Sequence, residues 1–436
     1  MTAEELAPGR RAALAADRVP RDVARWAGSR RLSPVTMAAF AVAFAVIAGV
    51  WLIRGSPRDE AIALAPLLIS YIASRAGDLM SDPWVSPATE WARAGCAALT
   101  EFVLYAGIAG GVSLTIAARA SASAGLTGPV GTRLRGTFLA GVGGHGWEGV
   151  WRLAVAAMIV LALSQMAMLC RRSTPGQVVR PGGFREFAGT PGRGRLLLAG
   201  LLVLLAGARI TFLLLLGIAL LGLFAILAGG FRSEWPPRVL GYRGDGPVAV
   251  WIGRFVDGRL PPLPPLIVGL LVTGMLAALG LQNLPGILVL TPVEAMLLAS
   301  LASWHPHDGP RDWMVPPLLQ AGEYWFIAAL GFAHRVSPPA TFALLAAVAL
   351  YHLDLAHRAR CELVPSPDGS FVRAEGQLSY SDRAGFGWDG RMIICGSAAV
   401  AGILPMAYPL LALYLWGLMA RDWLAGWSAG HAAVDG

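Results

Sequence analysis

The stretch Ile210-Thr-Phe-Leu-Leu-Leu-Leu-Gly-Ile-Ala-Leu-Leu-Gly-Leu-Phe-Ala-Ile-Leu-Ala-Gly-Gly230 contains no charged side chain. A helix rising about 1.5 Å per residue carries a run of this length across a hydrocarbon core of about 30 Å. Just upstream, Leu196–Gly207 is a second apolar run, with Arg209 the one charge between the two. Two such runs side by side predict a helical protein that crosses a bilayer more than once.

The rest of the chain agrees. Of its 436 residues, 56% are hydrophobic and 14% charged, and the mean hydropathy is +0.58. Soluble domains carry about 45–50% apolar and about 25% charged residues, so both values are shifted in the direction a bilayer selects. This excludes a soluble enzyme and a disordered chain. Cys96, Cys170, Cys361 and Cys395 are too scattered for a disulfide scaffold and read as buried small hydrophobes. All 35 basic residues are Arg, giving a net charge of +8. They flank apolar segments rather than line one soluble face, so nucleic acid is not an expected partner.

Further spans are expected at Val35–Ile53, Ala61–Ser74, Cys96–Ala118, Leu153–Cys170, Leu266–Leu281, Gly286–Ser303, Val315–Ala333 and Pro339–Leu353. The last apolar block, Met392–Ala420, contains Pro405 and Pro409 and reads either as one kinked span or as a hairpin. The fold class is therefore an all-α polytopic transmembrane bundle of eleven or twelve spans in two halves. Several stretches are short and either borrow residues from polar flanks or sit inside the bundle.

Residues 1–34 hold seven Arg ahead of any apolar run and form a basic cytoplasmic segment rather than a signal peptide. Positions 4–31 read either as a basic surface helix anchored by Trp26 or as a plain positive flank. With the N-terminus inside, about 26 of the 35 Arg fall on cytoplasmic segments and about eight outside, as the positive-inside rule requires. The expected location is the cytoplasmic (inner) membrane. Pro and Gly concentrate in residues 233–265, read as a stiff linker between a bundle at 35–232 and a C-terminal transmembrane domain at 266–430.

Ionisable side chains inside or at the ends of spans are candidates for function by default. Glu101 and Tyr105 lie one turn apart near the start of the third span, as an interhelical hydrogen bond or a ligand site. His305, His307, Asp308 and Asp312 cluster with Arg311 in His305-Pro-His-Asp-Gly-Pro-Arg-Asp312. This group reads either as a divalent-metal site or as a turn before the next helix. Glu323 sits two turns into the ninth span, where a carboxylate needs a partner, a proton or a cavity, and Glu294 in the eighth raises the same question. Asp354, His357 and Arg358 share a helix face at the end of the tenth span, with Tyr351 one turn earlier, His352 deeper and Arg360 beyond. Arg391, in Trp388-Asp-Gly-Arg391, stands at the mouth of the last block.

The first half, about residues 36–230, resembles the CDP-alcohol phosphatidyltransferase family of actinobacterial type. The likeness rests on Glu101-Phe-Val-Leu-Tyr-Ala-Gly107, Phe184-Arg-Glu-Phe187 and Gly207-Ala-Arg-Ile-Thr-Phe212. The second half resembles a membrane domain of unknown function that follows such transferases in fusion proteins. It does so through Gly258-Arg-Leu-Pro-Pro-Leu-Pro-Pro265, His305-Pro-His-Asp-Gly309, Asp312-Trp313, Pro316-Pro-Leu-Leu319, Glu323-Tyr324 and Trp388-Asp-Gly-Arg391.

The transferase signature D-x2-D-G-x2-A-R-x8-G-x3-D-x3-D supplies four Asp that hold two divalent metals. Registered on Glu101, its Asp positions fall on Ile72, Arg75, Arg93 and Ala97, and its glycines on Ala76 and Thr89. The resemblance thus implies the fold and a degenerate, pseudoenzyme-like signature, and no catalytic residue carries over.

The leading expectation is a membrane protein of phospholipid or glycolipid metabolism with a site in the C-terminal half acting on a phosphate-bearing lipid. There Asp354, His357 and Glu323 would supply acid/base function. Arg358, Arg360, Arg311 and Arg391 would bind phosphate, and His305, His307, Asp308 and Asp312 would hold a divalent metal. The second expectation is a non-catalytic scaffold or partner of another transferase subunit, or a homo-oligomer. The third is a transporter, resting on Glu294 and Glu323.

Overall fold

A computed structural model describes residues 18–80, 87–123, 147–171, 194–231, 246–256, 260–282, 285–301, 311–361, 363–365, 371–373 and 384–432. Among them the chain is all-α apart from one short hairpin, with thirteen α-helices. Among the described residues seven helices are long and apolar enough to cross a membrane, which makes this a multi-pass membrane protein. The expected count of eleven or twelve is higher: Leu196–Gly207 and Ile210–Gly230 form one of the seven, the last apolar block is not among them, and two further differences are local. The Gly286–Ser303 stretch is a 3-10 turn, Pro285–Leu290, followed by a ten-residue helix, too short to span. The Val315–Ala333 helix carries Gln320 and Glu323 and is not among the seven.

The residues divide into two compact units, Met1–Thr137 with Pro191–Thr211, and Phe138–Thr190 with Phe212–Gly436. In the first unit, α1 (Arg18–Ser29), α2 (Pro34–Arg54), α3 (Pro57–Leu79) and α4 (Pro87–Ser123) follow in order. Ser33 and Ser56 each cap a helix that begins with Pro, accepting from Thr36 N at 3.1 Å and from Asp59 N at 3.2 Å. The short Ala61–Ser74 run does borrow its polar flanks, since α3 takes in Arg58, Asp59 and Glu60. α1 lays Ala24 and Ala27 against Met37, Ala41, Ala73 and Ala76, with Trp26 exposed.

Small residues let α2 and α4 touch backbone to backbone. A Cβ on Gly107 would lie 2.8 Å from Gly49 Cα, and one on Gly111 would lie 2.2 Å from Leu52 O. The helical run α5 (Trp147–Arg171) belongs to the second unit, and α6 (Arg195–Phe231) contains the division between units. The two runs at Leu196–Gly207 and Ile210–Gly230 join within α6 across Gly207, whose φ of 78° and ψ of 164° are non-helical and suit glycine.

The second unit continues with α7 (Pro247–Val256), α8 (Leu263–Gln282), α9 (Thr291–Ser300), α10 (Val315–Ala333) and α11 (Pro338–Cys361). α7 corrects the expected linker, because its Pro-containing start is a legitimate first turn and its centre is apolar and helical. A two-stranded antiparallel hairpin, Leu363–Pro365 with Phe371–Arg373, interrupts the expected polar loop. The last block is two helices, α12 (Gly387–Val400) and α13 (Leu404–Ala432), broken at Gly402 with φ of 72°.

Around α10 pack α5, α8, α11 and α12. Tyr408 of α13 donates to Ile327 O at 2.8 Å, and Trp151 and Phe342 meet edge to face at 5.6 Å. Exposed side chains in both units are often large and apolar, among them Leu205, Leu221, Phe224, Leu271 and Val400, as lipid contact demands.

Candidate functional site

The centre of the second unit is an ion network assembled from three helices. α10 supplies Glu323, α11 supplies His352 and α12 supplies Arg391, all buried. Arg391 donates through Nε to Glu323 Oε1 at 2.6 Å and through Nη2 to Oε2 at 3.0 Å, a bidentate pair. His352 Nε2 lies 2.7 Å from Glu323 Oε2 and 2.9 Å from Arg391 Nη2. As a donor it serves Glu323, and as an acceptor it takes Arg391, one role per tautomer. The rings of Tyr324 and Tyr351 meet His352 edge to face at 5.9 and 6.4 Å, and Arg391 lies over Tyr351 at 5.4 Å.

The segment before α12 is shaped around this network. Arg391 Nη1 donates to Gly385 O at 2.8 Å, and a Cβ on Gly385 would fall 1.8 Å from the Tyr351 hydroxyl. Two residues before Arg391, Asp389 Oδ2 accepts from Val248 N at 2.7 Å and Ala249 N at 2.9 Å, capping the start of α7. Burial pushes the Asp389 carboxyl above its usual range, while these N–H donors and that of Gly390 pull the other way. A Cβ on Gly246 would sit 2.2 Å from Asp389 Oδ2, so the cap requires glycine there. Trp388-Asp-Gly-Arg391 is thus a clasp: its Asp holds α7 and its Arg holds α10.

A second cluster closes the end of α11. Arg358 lies 2.6 Å from Asp354 Oδ2 and 2.5 Å from Asp422 Oδ2 of α13. The i, i+4 pair is the one its spacing predicts. Asp422 is an addition that sequence reasoning passed over, because Arg421-Asp422 looks like an ordinary helix-end pair. His357 is one position from Arg358 and half-buried.

Of the remaining candidates the structure places Asp312 and Arg311. Asp312 is buried in the 3-10 turn Asp312–Met314, preceded by exposed Arg311. His305, His307 and Asp308 lie outside the described residues, as does the side chain of Arg360. Among the described residues no group of three or more His, Cys, Asp or Glu stands ready for a metal.

The first unit holds a comparable network. Tyr105 OH donates to Glu101 Oε1 at 2.7 Å, and Arg195 Nη2 lies 3.0 Å from both the Tyr105 hydroxyl and Glu101 Oε1. The Glu101–Tyr105 spacing was readable along one helix. Arg195 was not, since it is 90 residues from Tyr105 and reads as a positive flank.

Compared with known proteins, the chain matches no curated protein and no solved structure. Residues 240–433, which contain the whole Glu323–His352–Arg391 network, its clasp and the Asp354–Arg358–Asp422 cluster, match the model of a family of unknown function (DUF5941).

Proposed function

We propose that the chain is an integral protein of the cytoplasmic membrane, N-terminus inside, that serves phospholipid or glycolipid metabolism as a non-catalytic scaffold or partner of an active transferase. The supporting observation is that the strongest phosphate-binding candidates are engaged internally. Arg391 meets Glu323 in a bidentate pair, which leaves no net positive charge. Arg358 stands between two carboxylates, Asp354 and Asp422, a trio of net charge −1. A phosphate-bearing headgroup arriving at either place meets carboxylate, and displacing Arg391 would leave Glu323 buried without its cation, at a cost of about 3–5 kcal/mol. The degenerate transferase signature of the first half supports the same reading.

A second reading, turnover of a phosphate-bearing lipid with Asp354 and His357 as acid and base and a divalent metal nearby, draws support from the partial exposure of the Arg358 side chain, 20%, which leaves that cluster reachable. The two readings separate in a strain that lacks the protein. The wild-type gene and an Asp354→Asn/His357→Ala version are supplied at equal abundance, and membrane lipids are profiled by mass spectrometry. Restoration of the missing lipid by both supports the scaffold; restoration by wild type alone sinks it and makes the α11 cluster a working site.

A further inference from the structure

The end of the first unit that carries α1 is charged in one sense. Between Arg18 and Arg31 the chain holds five Arg, all exposed, and one acid, Asp22, which Arg25 takes as its partner. Beside α1, at the end of α3, Arg75 and Arg93 share Asp78. The opposite end of the α2–α3 pair is balanced, with Arg54 and Arg58 set against Asp59 and Glu60.

α1 is a folded element held in place, which a plain positive flank need not be. Pro20, Ala24 and Ala27 are buried, and the two Ala pack with Met37, Ala41, Ala73 and Ala76 under Leu32, Leu79 and Met80. The helix closes in a Schellman motif, in which Leu32 N donates to Ala27 O and Arg31 N to Gly28 O, each at 3.0 Å. That motif puts Arg31 at a φ of 56°, where glycine is favoured, yet the chain sets a guanidinium there. Four residues, 30–33, join α1 to the span α2, so α1 stays within reach of the headgroups.

Docking on one stripe decides what the rest of the helix shows. Arg18 and Arg25 stand opposite the buried stripe, and Val19 and Trp26, two turns apart, share one flank, each 55% exposed. A Trp beside a span settles at the boundary between acyl chains and headgroups. Guanidinium groups next to it match the geometry of phosphate. A neutral lipid surface would accept the apolar flank and leave the Arg unmatched; an anionic one takes both. We infer that the exposed face of α1 binds the headgroups of anionic phospholipids and gathers them at this end of the first unit. The inference holds whether the chain is scaffold or enzyme.

The test reads Trp26 in the full chain, in nanodiscs of phosphatidylcholine. Its emission, one of 15 Trp, is obtained as wild type minus Trp26→Phe. The discs carry a few per cent of a lipid brominated in its acyl chains, either phosphatidylglycerol or phosphatidylcholine. Bromine quenches only a nearby ring, so the ratio of the two quenching constants reports which headgroup collects at Trp26. Phosphatidylglycerol is expected to quench about fivefold more, the preference that one guanidinium gives at an anionic surface. High salt should bring the ratio towards one.

Arg18→Gln/Arg30→Gln/Arg31→Gly removes three exposed guanidinium groups and gives the left-handed position its glycine, so the helix keeps its close. This variant is expected to lower the ratio close to one while quenching by phosphatidylcholine stays. An unchanged ratio in the variant overturns the inference, because other charges would then gather the lipid. Equal quenching by both lipids in the wild type overturns it as well and leaves Trp26 a plain anchor; this arm needs no variant. Quenching by neither lipid overturns it in favour of a protein partner over Trp26.

Discussion

Each unit buries one carboxylate against one guanidinium, and the two places differ in what surrounds the pair. In the first unit Glu101 meets Arg195 with the Tyr105 hydroxyl between them, in a body whose α2 and α4 touch at Gly49 and Gly107. In the second, Glu323 meets Arg391 and His352. In the first network one carboxylate oxygen, Glu101 Oε2, is buried with no hydrogen-bond partner among the described residues, whereas in the second both oxygens of Glu323 accept. The second pair is the more fully satisfied of the two, so removing its cation strands more hydrogen-bonding capacity.

The comparison can be broken most forcefully at Arg391. Arg391→Leu strands Glu323 as a buried charge and is expected to cost about 3–5 kcal/mol in detergent-solubilised thermal unfolding. Adding Glu323→Gln should recover most of that loss; a double variant as unstable as the single would mean that the pair is not the source of the effect. Arg195→Leu attacks the first network in the same way, with an expected loss of about 3 kcal/mol because the Tyr105 hydroxyl still serves Glu101.

Tyr105→Phe removes that hydroxyl alone and should cost about 1.5–3 kcal/mol, the range for a hydrogen bond to a charged group. A negligible change would show that Arg195 holds Glu101 unaided. Gly385→Ala presses a methyl into the Tyr351 hydroxyl and should cost about 1–3 kcal/mol, read as a lowered melting temperature that Gly385→Ala/Tyr351→Phe partly restores. The smallest effect is expected at the half-open cluster. Arg358→Ala should cost about 1 kcal/mol and lose part of that effect as salt is added, since solvent reaches the side chain. A salt-independent loss of several kcal/mol would place Arg358 with Arg391 instead.

Parts of these networks were legible in advance. Glu101 with Tyr105 and Asp354 with Arg358 are i, i+4 pairs, and helix geometry alone brings them together. The need of Glu323 for a partner was also legible, from its depth in an apolar helix. Its partners were not. Arg391 reads as a residue at the mouth of a span, and His352 as one member of the α11 cluster. Trp388-Asp-Gly-Arg391 stood out as a motif, but its division into a helix cap and an ion pair depends on where α7 and α10 come to lie. The α7 helix itself was hidden by the prolines around it, which suggested a linker although Pro is well tolerated in a first helical turn.

The amino-acid sequence by itself determined that this is a multi-pass helical membrane protein. Runs as apolar as Ile210–Gly230 have no stable place in water, and a backbone in hydrocarbon must satisfy its own hydrogen bonds within a helix. Only the tertiary structure decided which buried charges neutralise one another. Glu323 and Arg391 are 68 residues apart, Arg358 and Asp422 64, and Tyr105 and Arg195 90. At such separations no helical periodicity relates the partners. Which side chains meet is set by how whole helices pack, and that depends on small residues and side-chain volumes along their entire length.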